Sequence, residues 1–96
     1  MVLKLDHKEM YVIITYDVEV ERINNVRKIL RQYLNWVQNS VFEGEISEGK
    51  LEELKRRISE EIDIKKDSVL IYKFSNPKWI AKDVWGIEKN PVEEVI

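Results

Sequence analysis

The chain of 96 residues contains no cysteine and only one histidine, His7. Without cysteine there can be no disulfide scaffold, no thiolate zinc site and no cysteine nucleophile. A single histidine argues against a Ser-His-Asp type of triad and against a cluster of histidine metal ligands. The lack of cysteine also fits a reducing compartment, so we expect a cytoplasmic protein.

Glycine, proline and long apolar runs are scarce as well. Three glycines, none in a phosphate-binding motif, and two prolines exclude collagen-like structure and a glycine-rich phosphate loop. No apolar run approaches the roughly 18 residues of a transmembrane helix, and we expect no membrane partner. The composition, 44% hydrophobic and 35% charged, is that of a single globular domain with one thin core.

Charge is informative only locally. The net charge is −2, whereas proteins that coat nucleic acid are usually basic, so a nucleic-acid role must rest on a patch. Every charged residue in the predicted helix 22–34 is basic. Because arginine forks match phosphate oxygens, Arg22, Arg27 and Arg31 are candidate nucleic-acid contacts. The alternative is an ordinary solvated helix face balanced by neighbouring glutamates.

Hydrophobic periodicity predicts the order strand, helix, strand pair, helix, strand. The first strand lacks polar alternation, which favours a central strand buried on both faces. The predicted strands are 10–16, 36–46, 68–74 and a short one at 79–86, and the predicted helices are 22–34 and 48–62. A tight turn at Asn39-Ser40 can divide the second strand, and Ser47 can cap the second helix.

A βαββαβ order folds most simply as an α+β, ferredoxin-like domain, with an antiparallel sheet and both helices on one face. We assign residues 10–86 to this core. Residues 1–9 are polar and form an N-terminal extension, and residues 87–96 form a C-terminal segment. The final NPVEEVI is β-branched, and such a strand often pairs with a sheet edge, its own or a partner's.

Asp17 is the sharpest candidate for chemistry, because it ends the central strand just before a helix, where ligands commonly bind. Its carboxylate suits a hard cation such as Mg²⁺, but one aspartate makes a poor site, and a turn residue or helix cap is the alternative. A two-fold axis would bring two copies together. Two carboxylates about 4 Å apart repel by about 4 kcal/mol at an effective dielectric of 20 and therefore need a cation or a shared proton.

Three further residues near the strand ends are candidates. Tyr16 and Phe42 can stack on bases, although aromatic residues in strands are more often part of the core. Ser40 would be a nucleophile only with a neighbouring base, and a turn residue is the simpler interpretation.

Three motifs together resemble one family. YVIITYDV, WVQNSVFEG and DSVLIYKF, with a basic helix after the first, resemble CRISPR-associated protein 2, a small protein of spacer acquisition in prokaryotic adaptive immunity. The resemblance covers about residues 10–75, and NPVEEVI resembles the C-terminal strand of that family.

The resemblance implies a ferredoxin-like homodimer in which residues 87–96 of each protomer add to the partner's sheet. It also implies a metal-dependent endonuclease for single-stranded RNA or double-stranded DNA. Asp17 matches the metal-binding aspartate, with one Mg²⁺ shared between the two Asp17 of the dimer. Tyr16, Ser40 and Phe42 match residues of the family's motifs. Of the two arginines that often follow the aspartate loop, only Arg22 is present.

Three functions remain open from the sequence. The first is a Mg²⁺-dependent endonuclease centred on Asp17. The second is a non-catalytic dimeric scaffold that bridges the larger CRISPR integrase and holds duplex DNA. The third, which needs no resemblance, is a ferredoxin-like domain that binds a small ligand.

Overall fold

The elements follow each other in the predicted order in the computed structural model, which describes residues 9–91. The strands and helices are β1 (Glu9–Asp17), α1 (Val20–Arg31), β2 (Asn35–Gln38), β3 (Val41–Ser47), α2 (Glu48–Ser59) and β4 (Ser68–Phe74). A short 3₁₀ turn at Pro77–Trp79 follows. The predicted extension 1–9, except Glu9, and residues 92–96 of the predicted exchanged strand lie outside the described residues.

The four strands form one antiparallel sheet in the order β2-β3-β1-β4. β1 is central, and its residue Ile14 lies between Phe42 of β3 and Ile71 of β4. The predicted α+β, ferredoxin-like fold is confirmed. Its central strand is also the one that carries Asp17, so the candidate site has hydrogen-bonded neighbours on both sides.

One hydrophobic core fills the space between the sheet and the two helices. Alternate residues of β1 face it, and each helix contributes a stripe at three- and four-residue steps, as an amphipathic helix should. The largest fully buried side chains are Phe42, Ile14, Leu30, Leu51, Leu54, Val12 and Val26. The predicted apolar stripe supplies Val26 and Leu30 of α1 and Leu51, Leu54 and Ile58 of α2, and α1 also buries Ile29, which lies outside that stripe.

No helix or strand of residues 9–91 packs on the second face of the sheet, which we call the uncovered face, and the segment after Trp79 reaches it through Lys82. Tyr11, Ile13 and Thr15 of β1 are only half-buried, and Leu70 and Tyr72 of β4 are each 52% exposed. The prediction that β1 is buried on both faces is therefore wrong for the single chain. The prediction fails because both helices pack on the same side of the sheet. The apolar run of β1 therefore supplies core residues on one face and partly exposed residues on the other.

Two local signals acted as predicted. Asn39 adopts a left-handed φ of 44°, which asparagine tolerates, and closes the tight β2–β3 turn. The indole Nε1–H of Trp36 donates to the Asn39 carbonyl over 3.0 Å. Ser47 caps α2, because its hydroxyl accepts a hydrogen bond from the Lys50 N–H at 3.2 Å.

The predicted strand at 79–86 is wrong. Pro77 begins a 3₁₀ turn, and residues 80–91 are irregular and belong to no sheet. A strand needs a backbone partner, and this segment is fastened through side chains instead. Lys82 Nζ bonds Glu43 Oε2 at 2.6 Å, and the Asn90 amide donates to the Trp36 carbonyl.

Neither helix among residues 9–91 is long and apolar enough to cross a membrane.

Leu54 tests the core. It has no exposed surface and packs between α2 and the sheet. We expect Leu54→Ala to lower the free energy of unfolding by about 2–5 kcal/mol, because the substitution leaves a cavity. The measurement is urea denaturation followed by circular dichroism. Ile64→Ala, at a side chain that is 81% exposed, is the control and should change it by less than about 0.5 kcal/mol. Equal effects of the two substitutions would contradict this packing.

Candidate functional site

The end of β1 presents two neighbouring residues to opposite sides of the sheet. Tyr16 is 6% exposed and faces the helices, in the same row as Ile14. Asp17 is exposed, and its backbone lies across from Ser68 of β4. Since strand side chains alternate, Asp17 shares the uncovered face with Ile13 and Thr15. The predicted metal residue and the predicted base-stacking residue are therefore on different surfaces.

On the helix side, the structure brings together Tyr16, Arg27, Arg31, Ser40 and Phe42, which we call the helix-face cluster. The rings of Tyr16 and Phe42 pack with centroids 6.2 Å apart and planes tilted by 35°. The Tyr16 N–H also donates to the Ser40 carbonyl at 3.1 Å, which extends the β1–β3 pairing into the turn. These contacts hold the turn against the strand end.

The prediction that Phe42 contacts nucleic acid is corrected by its burial. Its side chain is 0% exposed, and Tyr16 is 6% exposed, so neither offers an open ring face to a base. Stacking requires such a face. Both rings belong to the core, which is the alternative that the sequence left open. Their packing holds the end of β1 against β3.

The Tyr16 hydroxyl lies in the positive electrostatic field of Arg27 and Arg31. Burial raises the pKa of Tyr16, while the positive charges of Arg27 and Arg31 and a hydrogen bond with the Ser40 side chain oppose that rise. The guanidinium groups thus lie close enough to act on the hydroxyl. Arg27 Nε is buried and has no hydrogen-bond partner among residues 9–91. Within that part of the chain, no histidine or other base is hydrogen-bonded to Ser40, so its chemistry is that of a turn residue.

Arg22, the third predicted phosphate contact, is placed elsewhere. Its Nε donates to Asp67 Oδ2 at 2.6 Å and its Nη2 to Oδ1 at 2.9 Å. Glu19 and Glu21 also lie within 3.6 Å and 3.7 Å of this guanidinium. Because a bidentate pair occupies the fork, Arg22 is not grouped with Arg27 and Arg31.

Asp67 is the functional candidate that the sequence reasoning missed. Its carboxylate is fully buried and accepts two further bonds from backbone N–H groups, of Glu19 at 3.0 Å and of Asp63 at 2.8 Å. The hydrogen bond from Arg22 is the main cause that holds the pKa of Asp67 far below its usual range, and the two backbone bonds add to it. The only sequence signal was an aspartate just before a strand, 45 residues from its arginine.

Asp17 has the opposite surroundings. Among residues 9–91 its carboxylate makes no ion pair or side-chain hydrogen bond, and no three His, Asp or Glu residues are close enough to hold a metal. An exposed carboxylate can supply one oxygen ligand to Mg²⁺, which keeps several waters. Asp17 therefore offers one ligand to a cation, and residues 9–91 do not complete a metal site around it.

Comparison with known proteins agrees with this fold. The model of the family described as CRISPR associated protein Cas2 matches residues 10–81. The chain is 56% identical to a CRISPR-associated endoribonuclease Cas2 of Thermococcus kodakarensis over 91% of this chain and 100% of that one. It is 51% identical to the protein of the same name from Pyrococcus furiosus over 91% of this chain and 100% of that one.

The chain belongs to the Cas2 family. A solved structure described as a crystal structure of Cas2 superposes on it with a TM-score of 0.80 and 51% identity, covering 92% of this chain and 99% of that one. The resemblance drawn from the three sequence motifs is confirmed.

The low pKa of Asp67 predicts an acid-sensitive contribution to stability. The pKa of an aspartate in an unfolded chain is about 3.9, and the pKa of the folded Asp67 carboxyl is lower. The Arg22–Asp67 pair therefore stabilises the fold above that pH, and this stabilisation is lost as the pH falls. We expect Asp67→Asn to unfold at lower urea than wild type at pH 7. The difference should shrink steadily below about pH 4.

Asp63→Asn is the matched control, because the Asp63 carboxylate accepts one bond, from the Lys65 N–H at 2.9 Å, inside its own turn. It should show a much smaller difference at pH 7. An Asp67→Asn deficit that stays constant down to pH 2 would contradict an ionised, bonded carboxylate.

Proposed function

We propose that this Cas2 protein is a metal-dependent endonuclease that acts on RNA as a homodimer. The observation that carries the proposal is the exposed carboxylate of Asp17, which ends the central strand and has no partner among residues 9–91. The relatives named endoribonuclease support RNA as the substrate class. Duplex DNA is the second substrate to be compared.

The uncovered sheet face supports a dimer. It exposes Leu70 and Tyr72 from β4 beside the half-buried β1 residues. It also carries Glu43 and Glu45. Burial is the main cause that raises the pKa of Tyr11 to about 12, and the negative charges of these two glutamates add to the rise. Apolar side chains exposed side by side on one face suit a second copy of the chain.

A two-fold axis on this face would place the two Asp17 carboxylates near each other. Their repulsion, about 4 kcal/mol at 4 Å and an effective dielectric of 20, would be relieved by one shared cation. Mg²⁺, when bound there, supplies positive charge for the developing negative charge on the phosphate and lowers the pKa of the attacking water. The chain's part is to hold and orient that ion through Asp17.

Arg27 and Arg31 would hold the nucleic-acid backbone. They stand one helical turn apart on α1, near the turn that contains Ser40, and they share that end of the sheet with Asp17. Phosphate contacts of this kind position a strand without reading its sequence. Arg22, whose fork is occupied by Asp67, would contribute through the fold and not through a phosphate.

One observation favours the second candidate, a scaffold without cleavage. Arg27 and Arg31 lie on the helix side of the sheet, whereas Asp17 lies on the uncovered face. A dimer could therefore hold duplex DNA through the arginines and bridge the CRISPR integrase in spacer acquisition while Asp17 remains uninvolved. The two candidates differ in what an Asp17 substitution does.

Asp17→Asn is expected to abolish Mg²⁺-dependent cleavage of single-stranded RNA while leaving folding and RNA binding intact, because only the metal ligand is lost. Cleavage is followed on labelled RNA and duplex DNA, with EDTA as the metal-removal arm. Glu52→Gln, a carboxylate-to-amide change on the exposed surface of α2, is the control and should cleave as wild type does.

A second arm of that experiment tests the dimer. Tyr72→Glu leaves Asp17 in place but adds two negative charges to a two-fold interface that already carries Glu43 and Glu45, so it should yield a monomer in light scattering and lose cleavage together with it. Activity that survives Asp17→Asn would overturn Asp17 as the centre of the nuclease. A wild type that binds duplex DNA and cleaves nothing would favour the scaffold.

Arg27→Glu combined with Arg31→Glu is expected to weaken nucleic-acid binding by tenfold or more and to flatten its salt dependence. Each lost phosphate contact removes about 0.7 from the slope of log K against log salt on a single strand and about 0.9 on a duplex. Fluorescence anisotropy at several salt concentrations measures both.

The matched control is Arg56→Glu, which reverses one charge on α2, where Arg56 pairs with exposed Glu60 at 3.7 Å and with no other carboxylate of residues 9–91. Its affinity and slope should stay near those of wild type. An unchanged salt slope in the Arg27 and Arg31 double variant would show that the phosphates are held elsewhere.

A further inference from the structure

The Asp67 carboxylate is a buried charge that the proposed chemistry does not use. Each of its oxygens accepts two hydrogen bonds. Oδ1 binds the Glu19 N–H at 3.0 Å and Arg22 Nη2 at 2.9 Å, and Oδ2 binds Arg22 Nε at 2.6 Å and the Asp63 N–H at 2.8 Å. Four hydrogen bonds hold the carboxylate in one orientation, and they fix the positions of the backbone and guanidinium groups that donate to it.

What it binds is the segment that follows Asp17. The Glu19 N–H lies two residues after Asp17, and Ser68, the residue after Asp67, is directly opposite Asp17 in the β1–β4 ladder. Asp67, one residue before the last pair on β4, therefore binds the chain two residues after that pair on β1. The backbone is held at Asp17 by the ladder and at Glu19 by this carboxylate.

The beginning of α1 has no local substitute for this contact. Glu19 is the N-cap of α1, and its side chain makes no capping hydrogen bond. The carboxylate of Asp67, 48 residues away in sequence, binds the N-cap backbone instead and places negative charge at the positive end of the helix. The Val18 side chain, 7% exposed, is the other anchor of this loop.

We propose that Asp67 is a positioning residue for the Asp17 site: by binding the Glu19 N–H and the Arg22 fork, it fixes the loop that sets where the Asp17 carboxylate points. This rests on the proposed function of Asp17. Asp67 touches neither metal nor substrate. Its effect should fall on the turnover step, because a displaced ligand weakens the metal's contact with the reacting phosphate. Substrate affinity, carried by Arg27 and Arg31, should be spared.

The test compares Asp67→Asn, wild type and two controls in Mg²⁺-dependent RNA cleavage, at a temperature where thermal melts show every protein folded. We expect kcat to fall about 10- to 100-fold and KM to change less than about threefold, as for a misplaced catalytic group. Asp63→Asn removes a carboxylate from the same turn without touching the Asp17 loop and should keep the wild-type kcat. Leu54→Ala lowers stability at a distance and should keep it as well.

A readout independent of activity accompanies the kinetics. Amide hydrogen exchange detected by NMR should be faster at Glu19 in Asp67→Asn than in wild type, by about tenfold, because asparagine offers one acceptor oxygen to four donors and places an NH2 donor against the others. Titration with Mn²⁺, followed by paramagnetic broadening of the Asp17 and Val18 amides, should show weaker binding in the variant. Neither measurement requires cleavage.

Three results would overturn the proposal. They are a folded Asp67→Asn variant with wild-type kcat and Mn²⁺ binding, a Leu54→Ala variant that loses as much kcat at equal stability, and a loss that appears in KM alone. If wild type does not cleave RNA, the nuclease proposal fails by itself, and unchanged Mn²⁺ binding in Asp67→Asn would still reject the positioning role. Should Asp67→Asn not fold, Asp67→Glu replaces it, since it keeps the charge but shifts the oxygens by one bond and should show the same loss.

Discussion

The rest of the structure depends on the alternation of side chains along β1 in a sheet that has helices on one side only. Val12, Ile14 and Tyr16 are drawn into the core by both helices. The intervening residues are left on a face that no described element covers. A shift of β1 by one residue would exchange the two sets of side chains, burying Asp17 among apolar side chains and exposing Tyr16. The register of the β1 pairing therefore decides on which face Asp17 lies.

The second constraint is electrostatic and joins distant parts of the chain. Asp67 precedes β4, and Arg22 and Glu19 begin α1, yet one carboxylate satisfies them all. The arginines of α1 therefore differ in their surroundings, because Arg22 is paired with Asp67 while Arg27 and Arg31 lie near the Tyr16 hydroxyl. The basic residues of this helix do not form one uniform surface.

A nearly neutral protein can still present a surface for nucleic acid when its charges are segregated. The acidic side chains Glu43 and Glu45 lie on the uncovered face, and the two available arginines lie on the helix side. Both an enzyme and a scaffold are consistent with this arrangement of residues.

The sequence by itself determined the element order, the amphipathic helices, the Asn39 turn, the Ser47 cap and the family, because each rests on neighbours within a few residues or on motifs of contiguous letters. It also marked Asp17, Arg27 and Arg31. Only the tertiary structure decided that Phe42 and Tyr16 are interior, that Arg22 belongs to Asp67, and that residues 79–86 form no strand. The physical reason is that burial and charge pairing are properties of the space between elements, and a partner 45 residues away leaves no periodic trace in the chain.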